Sequence, residues 1–146
     1  MVRKAAVLNT SGRRVSSAKV PEGPPGSYSQ CKRVGNHVYL SGQIAIDKRG
    51  KLVSKSDPYL QARQIFQNIK ALMEAAGGTV DDVVKITMYT TDIRFQPAIW
   101  KARREVFAGD FPASTLVGVA SLFDPDNLVE VEAIGYIDDK PRRRRR

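Results

Sequence analysis

Glu130 and Glu132 stand two residues apart in the run Leu128-Val-Glu-Val-Glu-Ala-Ile-Gly-Tyr-Ile137. Successive residues of a strand point to opposite faces. One face of this run is then Val129, Val131, Ala133 and Ile137; the other carries Leu128, Glu130, Glu132, Ile134 and Tyr136. A buried carboxyl whose pKa is raised can move protons to and from water as a general acid or base. The plain alternative is a solvated strand face. Ile134 and Tyr136 beside the two carboxylates favour a covered surface, a subunit interface that holds a polar pocket.

Other reactive residue types are scarce. His37 is the only histidine, which excludes a multi-histidine metal site. Cys31 is the only cysteine, so no intrachain disulfide forms, and a reducing, cytoplasmic setting fits best. No run of about 18 apolar residues suits a membrane span. The N-terminus is basic but has no apolar core of a signal peptide.

The chain has 146 residues, one domain by length, with a formal charge of +9. Eleven of its 24 Lys and Arg residues lie in residues 1–20 and 140–146, which leaves 13 against all 15 acidic residues between them. The body is slightly acidic, and a basic groove for nucleic acid is not supported. The tail, with Lys140 and Arg142 to Arg146, would bind polyanions through counterion release with little specificity.

The elements that must position the carboxylates follow from periodicity. Residues 1–26 read as an arm, extended or partly disordered, that ends in Pro21-Glu-Gly-Pro-Pro-Gly26; residues 27–138 form the domain and 139–146 the basic tail. Ser27 to Val34 suits a first strand. Val38 to Ile46 suits a second, with Val38, Leu40, Gly42, Ile44 and Ile46 on one face. Gly42 marks a bulge or a close backbone approach. Asp47-Lys-Arg-Gly50 turns the chain, and Leu52-Val53 begins a return strand. Asp57-Pro58 opens a helix that Gly77-Gly78 ends, its apolar stripe running from Ala62 through Ile65, Phe66, Ile69, Leu72 and Met73 to Ala76. A strand over Val83 to Thr91 precedes a second helix, capped by Asp92 and reaching Phe107, whose Arg103-Arg104 pair reads as its solvated side. Leu116, Val117 and Val119 lie in a further strand, and Asp124-Pro125-Asp126-Asn127 turns into the carboxylate-bearing one. This order predicts an α+β architecture, a mixed sheet with both helices on one face.

With these segments in view, the chain resembles the RidA (YjgF/Rid) superfamily of enamine/imine deaminases. The resemblance is carried by Tyr28 after the Gly-Pro-rich bend, Val38-Tyr-Leu-Ser-Gly-Gln-Ile44, Gln61-Ala-Arg-Gln64, Asn68-Ile-Lys70, Glu74-Ala-Ala-Gly77, Asp82-Val-Val-Lys85, Phe111-Pro-Ala113 and Val129-Glu-Val-Glu-Ala-Ile134. It spans nearly the whole domain. It implies a chorismate-mutase-like fold and a homotrimer with clefts between subunits. It also implies hydrolysis of reactive enamines and imines to 2-keto acids and ammonia, with no cofactor or metal.

By the same resemblance, Tyr28 matches a pocket tyrosine, Ser41 and Gly42 a backbone contact, and Glu130 the carboxylate that positions or activates water; Glu132 is structural. Three positions depart from the pattern. Ser114 stands where an arginine clamps the substrate carboxylate, Leu116 where a cysteine is usual, and Trp100 where the second helix has an asparagine. A guanidinium fork grips a carboxylate with two charge-assisted hydrogen bonds, whereas a hydroxyl offers one neutral bond. The usual 2-imino acids are therefore expected to fit poorly, and the substrate to be a non-standard small molecule. Two alternatives stay open: a trimer that binds a small metabolite without converting it, and a nucleic-acid-associated, endoribonuclease-like activity through the basic ends.

Overall fold

In the computed structural model, residues 12–138 are described; the arginine tail and residues 1–11 lie outside them. Helix α1, Pro58–Ala75, starts where Asp57 accepts hydrogen bonds from the Tyr59 and Leu60 amides at 2.9 and 3.1 Å, with Pro58 in its first turn. It ends in a Schellman turn: the Gly77 and Gly78 amides donate back to the Glu74 and Met73 carbonyls, with Gly77 at φ 95°. The whole stripe from Ala62 to Ala76 is buried. Helix α2, Gln96–Val106, follows a single 3-10 turn at Ile93–Phe95 and buries Ile99 and Ala102. The helices meet through Phe66 and Phe107, their rings edge to face with centroids 5.8 Å apart.

Six strands form one sheet: β1 Arg13–Val15, β2 Cys31–Val34, β3 His37–Gln43, β4 Val83–Thr90, β5 Ala113–Gly118 and β6 Val129–Tyr136. Their spatial order is β1-β2-β3-β6-β4-β5. Only β4 and β5 run parallel; the other pairs are antiparallel. The helices pack on the face bearing Val38, Leu40, Ile86, Met88, Val129, Val131 and Ala133, all buried. The architecture is the α+β mixed sheet with helices on one face. On the opposite face Tyr39, Ile134 and Tyr136 are exposed beside the carboxylates. No helix of the described residues is long and apolar enough to cross a membrane.

The local structure differs from the sequence reading in four places. Arg13–Val15, within the expected arm, pairs with β2 and buries Val15. The strand expected from Ser27 begins only at Cys31, because residues 24–27 are held in a turn by the Ser27 amide and hydroxyl bonding to the Pro24 carbonyl. The alternation expected through Ile46 breaks after Leu40. A register shift between Leu40 and Gln43 inserts a bulge, so Gln43 and Ala45 turn inward in place of Gly42 and Ile44. The return strand at Leu52-Val53 shrinks to one bridge between Ile46 and Leu52, since Asp47 folds the intervening loop onto itself by accepting from the Arg49 and Lys51 amides.

Two buried amides on α1 hold the loops that lead to the site strands. Asn68 donates to the Ile44 and Ile46 carbonyls at 3.3 and 3.0 Å. Gln61 donates to the Ser54 and Asp126 carbonyls and accepts from the Leu128 amide at 2.8 Å. Gln61 thereby sets the entry of β6, two residues before Glu130. Gln61→Leu keeps the apolar volume but orphans these backbone groups; it is expected to cost about 2–4 kcal/mol in urea unfolding.

Candidate functional site

The site is built around a close approach. β6 lies at the centre of the sheet, between β3 and β4. At the bulge, the β3 backbone at Gly42 comes under the Glu130 side chain, and a Cβ at position 42 would overlap Glu130 Oε1. Only glycine admits this contact. The bulge is fixed from behind by the buried Gln43 side chain, which donates to the Ser41 carbonyl at 3.0 Å and to Gln30 Oε1 at 2.8 Å. Ser41 in turn donates through Oγ to the Ser29 carbonyl at 2.7 Å and through its amide to the Gln30 carbonyl at 2.9 Å. The segment carrying Tyr28 is thus tied to the bulge. Tyr28, Tyr39 and Ser41 share a shallow concavity of about 410 Å³, where the Tyr28 ring rests against Gly23.

The two carboxylates differ in partners. Glu132 accepts a hydrogen bond from the Tyr89 hydroxyl at 3.2 Å. Glu130, paired across the ladder with Tyr89, has no hydrogen-bond or ion-pair partner among the described residues. Burial pushes its pKa up, and the Glu132 charge adds to the shift. The Tyr89 phenol is also shifted up, by burial first and then by its bond to Glu132. An unpaired carboxylate with raised proton affinity can take a proton from water and return it to a leaving group. The other reactive groups are placed otherwise. Cys31 is fully buried, its thiol pushed up to about 11 by burial, and it is no nucleophile. His37 is exposed at the start of β3, edge-on to Tyr136.

The remaining predicted site residues form a second cluster. Ser114 pairs with Ile86 and Leu116 with Met88, so both point to the helix side of the sheet; Leu116 packs against the core. Ser114 is not left with a bare hydroxyl. Arg103 Nη1 donates to its Oγ at 3.0 Å. The Arg103 guanidinium lies over the Trp100 ring at 5.0 Å and the Phe111 ring at 5.7 Å. Its Nε is buried without an acceptor. Burial, then the neighbouring Arg104, pulls its pKa down. Arg103 is therefore not the solvated residue its place beside Arg104 suggests. The signal that could have found it is the helical spacing of Trp100 and Arg103, which sets the ring and the guanidinium on one face.

The chain seats Glu130 against Gly42, next to Ser41, and ties the segment that carries Tyr28 to the same bulge. It does not bring Trp100, Ser114 or Leu116 to them. Three strand spacings separate β3 from β5, about 14 Å, and the two clusters face opposite sides of the sheet.

Among known proteins, the family model described as Endoribonuclease L-PSP matches residues 20–137. A 2-iminobutanoate/2-iminopropanoate deaminase of Dermatophagoides farinae is 40% identical over 129 residues, 88% of this chain and 99% of that protein. A RutC family protein of Pyrococcus horikoshii is 40% identical over 113 residues, covering 77% of this chain and 89% of its own length. Of solved structures, RidA from the Antarctic bacterium Psychrobacter sp. superposes with a TM-score of 0.79 at 36% identity, covering 86% of this chain and 99% of the other. E. coli TdcF with bound serine gives 0.80 at 30% identity, covering 86% and 98%.

The raised pKa of Glu130 has a stability consequence. A carboxyl that holds its proton more tightly folded than unfolded lowers stability as pH rises through that interval. Glu130→Gln, which stays neutral, is expected to melt higher than the wild type near neutral pH, with the gap closing below about pH 4. Melting curves at the two pH values check this, and an equal gap at both would show that the charge is not the cause.

Proposed function

The chain belongs to the RidA (YjgF/Rid) superfamily, and from this premise we propose that it is a hydrolase of reactive enamines, imines or related C–N intermediates. The observation that carries the reading is Glu130: unpaired among the described residues, raised in pKa and seated against the Gly42 backbone at the bulge that follows Ser41. In the proposed reaction, Glu130 takes a proton from water as the oxygen attacks the imine carbon. Glu130 passes that proton to the nitrogen, which gives the carbinolamine, and then relays the hydroxyl proton to the same nitrogen as the C–N bond breaks. Ammonia leaves and a carbonyl remains, so imine plus water gives carbonyl plus ammonia; an enamine enters as its imine tautomer. Tyr28 positions the substrate, and Ser41 and Gly42 line its path. Glu132, held by Tyr89, keeps Glu130 in register and adds to its proton affinity.

The active unit is proposed to be a homotrimer with the site between subunits. The separation of the two clusters supports this, because a cleft that joins one copy's bulge to another copy's α2 and β5 would reunite them. The exposed Tyr39, Ile134 and Tyr136 offer an apolar contact surface. Ser114 makes the acid-binding half of the cleft non-standard. The bound serine of TdcF and the imino acid in the mite deaminase's name favour a small, amino-acid-like substrate. The single buried cysteine suits a reducing, cytoplasmic setting.

Release of ammonia from imines made in situ by an amino-acid oxidase tests the reaction. Glu130→Gln is expected to lower kcat/KM by about 100-fold or more, and Glu132→Gln by less than about 10-fold. Activity should fall as acid protonates Glu130, with a midpoint above the ordinary glutamate range. Turnover indifferent to Glu130→Gln would remove that residue from the mechanism. Tight binding of 2-oxo acids without turnover would assign a metabolite-binding protein. Sequence-dependent RNA cleavage that survives removal of residues 140–146 would assign a nuclease.

A further inference from the structure

The guanidinium of Arg103 is held in a costly way. It is partly desolvated between two aromatic rings, one of its donors is buried without an acceptor, and no carboxylate pairs with it among the described residues. The acid nearest in sequence along α2, Glu105, is engaged elsewhere: it accepts from the Tyr59 hydroxyl at 2.8 and 2.9 Å. Arg104 adds a second positive charge and raises the local potential. A cation that has lost part of its water, with one donor buried and unmatched, carries a cost that an arriving anion relieves.

The surroundings also select the shape of the anion. Trp100 and Phe111 restrict the guanidinium, and the bond to Ser114 Oγ pins one end of it. A planar fork held this way matches the two oxygens of a carboxylate. Because Ser114 Oγ accepts from Arg103, its own proton is free to donate to the same ligand. Ser114 and Arg103 thus act as a pair. The charge enters from α2, while the strand supplies the hydroxyl.

We propose that Arg103, steadied by Trp100, Phe111 and Ser114, is the specificity-determining residue that binds the carboxylate of a 2-imino or 2-oxo acid. This rests on the hydrolase reading above and names the acid-binding half of that site. It reverses the expectation that Ser114 leaves such acids poorly held: the guanidinium is present, delivered from a different element.

The test compares pyruvate with pyruvamide, which differ in the carboxylate, as calorimetric ligands of the full chain. Alongside it, hydrolysis of 2-iminopropanoate, made from alanine by an amino-acid oxidase, is compared with hydrolysis of propanimine, made from propylamine by an amine oxidase. Arg103→Gln is expected to weaken pyruvate binding and slow the imino acid by about 100-fold, leaving pyruvamide and propanimine within about 3-fold. Arg103→Gln with Ser114→Arg should recover most of the loss, and Arg103→Lys should fall between. Melting temperature and oligomeric mass are measured for every variant. If Arg103→Gln does not fold, Arg103→Lys decides, because it keeps the charge and loses the fork; an undiminished preference for pyruvate would overturn the proposal. So would equal loss of acid and neutral ligands, or a wild type that binds pyruvate no better than pyruvamide. Glu130→Gln separates the two readings. It should abolish hydrolysis of both imines and leave pyruvate binding intact. Pyruvate binding that depends on Arg103 in a protein that hydrolyses neither imine would keep this proposal and sink the hydrolase.

Discussion

The contact between the Gly42 backbone and the Glu130 carboxylate is the constraint on which the site depends. It requires a residue without a side chain at the bulge, a strand that bends there, and a central strand whose second residue reaches across. Each requirement has its own support in the fold. Gln43 and Gln30 hold the bulge from the core side, Asn68 holds the segment that leaves it, and Gln61 fixes where β6 begins. The buried polar side chains are therefore concentrated behind the site. These amides satisfy the irregular backbone that a carboxylate set close to the main chain needs, while the buried Asn127 beside them keeps one oxygen unpaired.

The two acidic side chains show how a shared strand face can give unlike chemistry. Glu132 is exposed and bonded to a phenol; Glu130 is half-buried, faces backbone and has no partner. Burial and a like charge act on Glu130 in the same direction, so its neutral form is favoured by both. At the far edge of the sheet the logic inverts. There the desolvated group is a cation, and burial works against its charge. In the proposed inter-subunit cleft, a substrate with an acid at one end and a C–N double bond at the other would meet opposite electrostatic conditions at its two ends.

The helices were legible because their signals are local: an aspartate-proline start, a double-glycine stop and an unbroken 3.6-residue stripe. The two faces of β6 were legible for the same reason, with Val129, Val131 and Ala133 inside and Glu132, Ile134 and Tyr136 outside. The phase of β3 was not, although Gly42 marked the place. A bulge shifts every later side chain to the other face, and nothing in the alternation of Val38, Leu40, Gly42 and Ile44 announces that step. The grouping of Tyr28, Ser41, Gly42 and Glu130 rested on family resemblance, since no periodicity links positions a hundred residues apart. Arg103 was missed because a charged residue near a helix end ordinarily faces water. Its draw toward Ser114 arises only when the β4–β5 crossover sets α2 beside the edge strand.

The strand order has a consequence for how the molecule is made. β6 comes last of the six along the chain, yet it fills the gap between β3 and β4. Until it emerges from the ribosome, the nascent protein holds two incomplete pieces: the β1-β2-β3 unit and the parallel β4-β5 pair. Each has a bare edge open to mispairing with other chains. The closing stave also delivers the carboxylate. The candidate site is therefore incomplete until the last strand is placed, and β3 and β4 are the edges that a chaperone shielding nascent strands would meet.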